Sequence, residues 1–271
     1  MNDLIYKKHI SIKKFGQNFL INKKIINKII EKINFIKNDN VIEIGPGFGA
    51  LTFPICSFIK KMTVLEIDEN IVFFLLQSIY FKKIKVILTD VMKFNFIYFF
   101  SDKKNILYRF IGNLPYNISS CFFLSTIRYI QNIYDMHFMF QKEVANRLLA
   151  SPGNKEYGRL SVIAQHFYYI KSIINVNKCN FFPIPKVDSV FLQFIPREIY
   201  PQSKIEKYFF ALELITRNAF QHRRKFLNKN LSKLFSKNQL FSLGINPYVR
   251  AENIRVSQYF LLAKEFLKIQ N

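Results

Sequence analysis

The segment Asn113-Leu114-Pro115-Tyr116 combines groups that could hold a planar base for chemistry on its amino group. The Asn113 side-chain oxygen and the Leu114 carbonyl can accept both hydrogens of an exocyclic amine, which orients the nitrogen lone pair. Pro115 fixes the backbone φ angle and removes a competing N–H donor. Tyr116 offers a ring for a base taken out of its stack. The segment therefore predicts a site that holds and orients the exocyclic amine of a base, although a structural strand-to-turn connection has a similar pattern.

A glycine-rich turn precedes this segment, with Gly45, Gly47 and Gly49 among only 8 glycines in the chain. Glycine lets the backbone adopt positive φ and lets a ligand approach closely. An acidic residue about 20 positions further on binds ribose hydroxyls in nucleotide-binding folds, and Glu66 lies at that distance. The turn alone fits an NAD-dependent dehydrogenase as well as a methyltransferase. We find no residue set for hydride transfer, which disfavours the dehydrogenase.

The residues around the turn resemble the E-x-G-x-G-x-G motif of S-adenosylmethionine-dependent methyltransferases, because Glu43 precedes Gly45 and Pro46 lies within the turn. That resemblance implies that Asp90 accepts a hydrogen bond from the adenine amine of the cofactor. A solvated strand end is the alternative for Glu66 or Asp90 taken alone. Their positions at successive strand ends favour the cofactor site.

Short apolar strands alternate with helical patterns through the first part of the chain. The predicted strands are 40–44, 62–67, 85–89, 107–111, 136–140 and 190–194, and the predicted helices are 21–36, 51–59, 70–81 and 141–150. This alternation predicts an α/β fold with a parallel, doubly wound sheet. Ligands bind at the carboxyl ends of the strands in such sheets. The glycine turn, both acidic residues and Asn113 all follow predicted strand ends.

The remainder of the chain predicts a second, smaller domain. Helical patterns alone follow Pro201, so we expect a catalytic domain at 1–197 and an all-helical domain at 198–271. Arg217, Arg223, Arg224 and Lys225 lie in this tail with aromatic residues between them, which suits an RNA backbone. A solvated helix face with a phenylalanine core stripe is the alternative.

The charge balance indicates a nucleic-acid partner. The chain has 40 Lys and Arg against 18 Asp and Glu, a net charge of +22, and its pI is about 9.9. Phosphates are neutralised by such residues, although the abundance of Lys, Ile, Asn and Phe also indicates an AT-rich coding sequence. Three scattered cysteines predict neither a disulfide framework nor a metal site. Without a signal peptide or a long apolar run, we expect a cytoplasmic protein that is not bound to a membrane.

Several motifs in order resemble the bacterial small-subunit (16S) ribosomal RNA adenine N6,N6-dimethyltransferases. The segments that carry the resemblance are 14–20, 42–47, 112–119 and 181–189, with shorter matches at 141–144, 157–161 and 251–254. The resemblance implies a Rossmann-like methyltransferase sheet, S-adenosylmethionine as cofactor, and dimethylation of two adjacent adenines in the 3′-terminal hairpin of that RNA. It also implies a monomer that acts on an assembling small subunit, the pre-30S particle.

The same resemblance implies roles for three further residues. Asn18 and Leu20 belong to a segment that closes over the cofactor, and Phe181 packs on the target base. Its neighbour Phe182 competes for that role, and Phe181 could equally be a core residue. Gln17 and Asn18 could instead cap the helix predicted at 21–36.

Two other functions stay open on the sequence alone. A related methyltransferase of large-subunit RNA would carry most of the same motifs, and the match at 251–254 argues against it. A ribosome-assembly factor without catalytic activity would need neither cofactor nor catalytic residues. The presence of Glu66, Asp90 and Asn113 argues against that alternative.

Overall fold

The structure is a computed structural model that describes residues 17–103, 106–197 and 201–270. Residues 14–16 of the motif at 14–20 lie outside these ranges. The described chain packs as two compact units. The N-terminal unit contains residues up to Ala145 and Lys171–Ile195, and the C-terminal unit contains Asn146–Ile170 and the residues from Pro196 onward. The domain division at residue 197 stays a prediction, and Asn146–Ile170 packs with the C-terminal residues.

A seven-stranded sheet lies mainly in the N-terminal unit. Its strands are β2 (Asn40–Ile44), β3 (Met62–Glu66), β4 (Ile84–Leu88), β5 (Tyr108–Gly112), β6 (Ile133–Gln141), β7 (Tyr168–Val176) and β9 (Ser189–Pro196). Across the sheet the strands follow the order β4-β3-β2-β5-β6-β9-β7. Strands β2 to β6 pair in parallel, as the sequence predicts. Strand β9 pairs antiparallel with β6, so the predicted parallel sheet is extended by an antiparallel strand and is mixed. An antiparallel strand beside an otherwise parallel sheet is common in doubly wound folds.

A second, two-stranded sheet joins β1 (Phe19–Leu20) to β8 (Phe181–Phe182) in antiparallel register. The helices of the N-terminal unit are α1 (Lys23–Ile33), α2 (Thr52–Cys56), α3 (Glu69–Leu76), α4 (Phe96–Phe100) and α5 (Tyr116–Ser125). Helix α6 (Lys142–Leu149) crosses the boundary between the units, and α7 (Arg159–Phe167) belongs to the C-terminal unit. Short 3₁₀ turns lie at Phe81–Lys83, Thr126–Asn132 and Lys178–Asn180.

The start of α1 decides between two interpretations of the preceding segment. The Asn22 side chain accepts hydrogen bonds from the backbone N–H groups of Lys24 and Ile25 and therefore caps the helix. Gln17 and Asn18 are not its cap, which leaves them for another role. The buried residues of α1 recur at helical spacing and pack into the core: Ile26, Ile29, Ile30 and Ile33.

The described residues after Pro201 form helices, as the sequence predicts. They are α8 (Gln202–Ala219), α9 (Leu227–Asn230), α10 (Lys237–Ser242) and α11 (Val256–Ile269), with a 3₁₀ turn at Ala251–Asn253. None of the helices that the structure describes is long and apolar enough to cross a membrane. Within the described ranges, we also find no cluster of His, Cys, Asp and Glu that could hold a metal ion.

Candidate active site

A cavity of about 470 Å³ opens at the carboxyl ends of β2, β3, β4 and β5, entirely within the N-terminal unit. Four parallel strands end here, so residues distant in sequence meet at one edge of the sheet. The cavity brings together nine residues that the sequence singled out: Asn18, Leu20, Gly45, Gly47, Glu66, Asp90, Asn113, Leu114 and Tyr116. Its volume lies in the range of sites that enclose a small-molecule ligand.

At this edge of the sheet, two glycines allow the backbone to pack closely against neighbouring residues. Gly47 has φ of +52°, and a Cβ atom there would lie 3.0 Å from the Phe19 ring. A side chain at Gly112, the last residue of β5, would lie 2.6 Å from the carbonyl oxygen of Ile44. Larger residues would therefore strain the turn or push β2 and β5 apart.

Two carboxyl groups line the cavity with little access to solvent. Glu66 ends β3 and accepts hydrogen bonds from the N–H groups of Ile67 (2.9 Å), Asp68 (3.1 Å) and Gly47 (3.4 Å). Burial raises the pKa of Glu66 despite these bonds. Burial also raises the pKa of Glu43 to about 8. Polar groups in a cavity wall with perturbed titration are typical of binding sites.

Asp90 follows β4 and lines the same cavity. Its Oδ1 accepts a hydrogen bond of 2.9 Å from the N–H of Met92. This Asx-type turn fixes the carboxylate at the edge of the cavity. Among the described residues, this is its only side-chain hydrogen bond, so Oδ2 is left as an acceptor.

The asparagine of the segment Asn113–Tyr116 is held by the segment before α1. Asn113 Nδ2 donates a hydrogen bond of 2.7 Å to the backbone carbonyl of Asn18. Since a carbonyl can only accept, the amide nitrogen must face Asn18, and Oδ1 faces the other way. No described residue donates to that oxygen. The side chain of the next residue, Leu114, is buried, so only its backbone is available to a ligand.

Tyr116 begins α5 and is anchored through its hydroxyl group. The Tyr116 hydroxyl and Ser189 Oγ lie 2.7 Å apart in a hydrogen bond across the N-terminal unit. Burial raises the pKa of Tyr116 above its usual value, so the phenol stays neutral. Ser189 is itself 1% exposed and begins β9. Sequence reasoning missed this anchor, since nothing in the local pattern places Ser189 beside Tyr116.

Phe181 differs from the other candidates because its side chain lies in the hydrophobic core. It is 1% exposed, pairs with Leu20 in the two-stranded sheet and does not line the cavity. Its neighbour Phe182 is partly buried against the same core. Stacking on a base requires an open ring face, so in this conformation Phe181 is a core residue. Its contact with a target base stays a prediction that requires the ring to be uncovered.

Comparison with known proteins adds independent evidence. The family model for ribosomal RNA adenine dimethylase matches residues 9–268. The chain belongs to this family. It is 44% identical over 270 residues to ribosomal RNA small subunit methyltransferase A of Buchnera aphidicola subsp. Acyrthosiphon pisum, covering 98% of this chain and 96% of that protein. It is also 44% identical over 262 residues to the protein of the same name from Wigglesworthia glossinidia brevipalpis, covering 96% of this chain and 98% of the relative.

Solved structures agree with this assignment. The crystal structure of a dimethyladenosine transferase from Plasmodium falciparum has a TM-score of 0.79 at 27% identity, covering 92% of this chain and 98% of that one. The 23S rRNA methyltransferase ErmE has a TM-score of 0.67 at 22% identity, covering 93% and 100%, which supports the fold alone. The predicted family, the Rossmann-like methyltransferase fold and the S-adenosylmethionine cofactor are therefore confirmed.

The groups that line the cavity of this dimethylase match the hydrogen-bond donors of S-adenosylmethionine. The glycine turn exposes backbone to a ligand, and Glu66 and Asp90 offer carboxylate acceptors at successive strand ends. Gln17 Oε1 is a buried acceptor in the cavity wall without a hydrogen-bond partner among the described residues. A ligand with hydroxyl and amine donors would satisfy these acceptors, because buried polar atoms normally find partners.

The four predicted RNA-binding residues all lie in the C-terminal unit with exposed side chains: Arg217, Arg223, Arg224 and Lys225. The Arg223 side chain already makes contacts within the C-terminal unit. Its Nη2 donates to the carbonyls of Lys155 (2.7 Å) and Tyr157 (3.0 Å) and pairs with Glu252 at 3.1 Å. Within the described chain, no ion pair involves Arg217, Arg224 or Lys225.

Proposed function

We propose that this chain transfers methyl groups from S-adenosylmethionine to the N6 amines of two adjacent adenines in the 3′-terminal hairpin of small-subunit (16S) ribosomal RNA. The observation that carries the proposal is the amide of Asn113, which faces Asn18 through nitrogen and keeps its oxygen free in the cofactor cavity. An acceptor in that place suits an amine substrate. The full-length relatives named as small-subunit methyltransferases support the choice of RNA.

The cofactor is held by groups at three strand ends. Gly45 and Gly47 let the backbone approach it, Glu66 accepts from its ribose hydroxyls, and Asp90 accepts from its adenine amine. Bound S-adenosylmethionine supplies a methyl group activated by the positive sulfur. Asn18 and Leu20, on the segment that contacts Asn113, line the same cavity, and in this proposal they close over the bound cofactor.

The segment Asn113–Tyr116, which we call the base-binding motif, positions the amine that accepts the methyl group. The N6 lone pair of adenine is delocalised into the ring and is a weak nucleophile. In the first transfer to each adenine, hydrogen bonds from both amine hydrogens to Asn113 Oδ1 and the Leu114 carbonyl align that lone pair with the cavity. The methylated nitrogen then loses one proton, so a single N–H remains to bind these oxygens in the second transfer. The same oxygens stabilise the positive charge that develops on N6 during attack. Catalysis by this chain is therefore mainly positioning and electrostatic stabilisation.

Tyr116 and Phe181 complete the binding of the base in this proposal. The hydrogen bond to Ser189 holds the Tyr116 side chain at the start of α5, where its ring can stack on a flipped adenine. Phe181 would take the other face once the target RNA uncovers it. We further propose that the protein acts as a monomer on the pre-30S particle, with Arg217, Arg224 and Lys225 contacting phosphates.

A direct assay separates this proposal from a methyltransferase of large-subunit RNA. Purified protein is incubated with labelled S-adenosylmethionine and either unmethylated small subunits or large subunits. We expect label in small-subunit RNA alone. Label in large-subunit RNA would contradict the proposed substrate, and tight binding to small subunits without label would support an assembly factor instead.

A further inference from the structure

Three aromatic side chains form an exposed cluster in the C-terminal unit: Phe226, Phe241 and Tyr248. They are 51%, 55% and 50% exposed, respectively. The Tyr248 ring meets both phenylalanines edge-on, with centroid distances of 6.3 Å to Phe226 and 6.4 Å to Phe241. Contiguous exposed apolar surface of this kind marks an interaction site. We call these three residues the aromatic platform.

Backbone hydrogen bonds join the two segments that carry Phe226 and Tyr248. Leu227 N–H donates to the Val249 carbonyl at 2.8 Å, and Asn228 N–H donates to the Pro247 carbonyl at 3.0 Å. Leu227 is fully buried beneath this connection. Ligand binding therefore needs little additional ordering of the chain, which favours affinity.

Positive charge surrounds the platform. Lys237 Nζ lies 5.4 Å from the centroid of the Tyr248 ring. Arg224 and Lys225 are exposed immediately before Phe226, and exposed Arg250 lies opposite Phe226 in a β-bridge. An apolar protein partner has no need of this rim of cations. A polyanion that also carries planar rings matches both features, and unpaired RNA is such a ligand.

We propose that the aromatic platform stacks an unpaired base of the RNA substrate while the neighbouring Lys and Arg side chains bind the flanking phosphates. The inference rests on the proposed function in one respect, namely that the substrate is RNA. Stacking tolerates any base because every base has a flat π-face, so the platform would add affinity without reading sequence.

The absence of tryptophan from the chain allows a specific test. A Tyr248→Trp variant of the full chain carries a single indole, whose fluorescence changes when a base stacks on it. We expect titration with a short oligoadenylate to quench this fluorescence, and a fully paired RNA duplex of the same length to leave it nearly unchanged. Unchanged fluorescence with both, under conditions where both RNAs bind, would overturn the proposal.

Leucine variants give a second measurement that does not depend on the indole. Phe226→Leu and Phe241→Leu keep apolar volume but remove the flat ring, so each should weaken oligoadenylate binding by about tenfold. The salt dependence should keep its slope, because no charge is removed. Phe73→Leu, on an exposed ring of α3 that is 65% accessible, is the matched control and should bind like the wild type. Wild-type affinity in both platform variants would refute the stacking role.

The methyl-transfer assay with wild-type protein keeps this inference separate from the proposed function. Methylated small subunits together with an unquenched Tyr248→Trp variant would refute the platform and leave the function intact. Quenching by oligoadenylate without methylation of small subunits would support the platform and refute the function.

Discussion

Asn113 Nδ2 and the carbonyl oxygen of Asn18 are joined by a hydrogen bond of 2.7 Å that links the base-binding motif to the segment before α1. The bond fixes which end of the Asn113 amide faces the cavity, and it makes the position of Asn18 depend on the same side chain. In the proposed mechanism, closure over the cofactor and recognition of the amine are therefore coupled through this one amide.

Replacement of Asn113 by Ala should abolish measurable transfer, with a loss of at least about 100-fold, because a positioned polar group at the reacting centre is removed. RNA affinity should stay close to wild type, since the RNA surface is proposed to lie mainly elsewhere. The measurement is single-turnover methyl transfer together with filter binding of RNA. Asn113→Asp keeps an acceptor but sets a carboxylate against the Asn18 carbonyl, so it should retain more activity than Ala while binding cofactor less well. Wild-type methylation by Asn113→Ala would exclude the catalytic role.

Glu66→Gln should weaken S-adenosylmethionine binding by about tenfold or more, because hydrogen bonds to a charged acceptor are worth about 1.5–3 kcal/mol. Isothermal titration calorimetry with cofactor alone measures this effect. Glu69→Gln is the matched control, since Glu69 is exposed three residues later in α3. Equal cofactor affinity in Glu66→Gln and Glu69→Gln would remove the ribose assignment.

The Glu43 carboxyl predicts a pH-dependent stability. Its pKa is raised from 4.5 to about 8 by burial, so the native state keeps a proton that the unfolded chain releases within that window. The stabilisation is complete below pH 4.5 and is lost as the pH rises through about 8. Glu43→Gln removes this titration. Relative to that variant, the wild type should lose up to about 1.4 kcal/mol of unfolding free energy per pH unit in the window.

Urea denaturation of both proteins across that window measures the difference. The Glu66 charge also raises the pKa of Glu43, so Glu43→Gln removes this repulsion together with the Glu43 titration. Glu31→Gln on the exposed face of α1 is a control that should follow the wild-type profile. Parallel profiles for wild type and Glu43→Gln would contradict a buried neutral carboxyl.

The Tyr116–Ser189 pair predicts an energetic coupling. Ser189→Ala leaves a largely buried phenol without a partner and should reduce the unfolding free energy by about 1–3 kcal/mol. Combined with Tyr116→Phe, the loss should be smaller than the sum of the two single variants by about 0.5 kcal/mol or more. Tyr116→Phe keeps the ring and should retain methyl transfer, whereas Tyr116→Ala should not. Tyr98→Phe is the control for stability, because Tyr98 is 78% exposed. Strict additivity of the losses from Ser189→Ala and Tyr116→Phe would exclude the coupling.

Arg223 and Arg224 are neighbours with different predicted effects. Arg224→Ala should reduce the slope of log affinity against log salt by about 1 without changing stability, as expected for a phosphate contact. Arg223→Ala should also reduce the unfolding free energy by about 1–2 kcal/mol, because three hydrogen bonds to Lys155, Tyr157 and Glu252 are lost. Salt titrations of RNA binding and urea denaturation distinguish the two. A salt slope unaltered by Arg224→Ala would move the RNA surface elsewhere.

The parallel part of the fold could be predicted because its strands are short apolar runs that end at glycine or acidic residues. Strand β2 was predicted and observed at 40–44. Strand β7 was missed because α7 ends at Phe167 and β7 begins at Tyr168, with no glycine or proline to separate them. Helix α5 was missed because apolar residues surround it, which hides helical periodicity.

The part of the site that could be predicted consists of the residues that follow the predicted strands. Residues that follow parallel strands meet at one edge, so Glu66, Asp90 and Asn113 could be placed together from sequence. Contacts that depend on tertiary packing could not be predicted from the sequence. No local pattern encodes these contacts, because each depends on segments far apart in the chain. Examples are the hydrogen bonds of Asn113 to Asn18 and of Tyr116 to Ser189, and the burial of Phe181.

The measurement that tests the account most directly is the identity of the methylated nucleoside. Wild-type protein and labelled S-adenosylmethionine are incubated with unmethylated small subunits, and the RNA is digested to nucleosides and mapped. We predict N6,N6-dimethyladenosine at two adjacent positions of the 3′-terminal hairpin, and no label with Asn113→Ala. Label on another atom or another RNA region, or no label despite tight binding of the particle, would contradict the account.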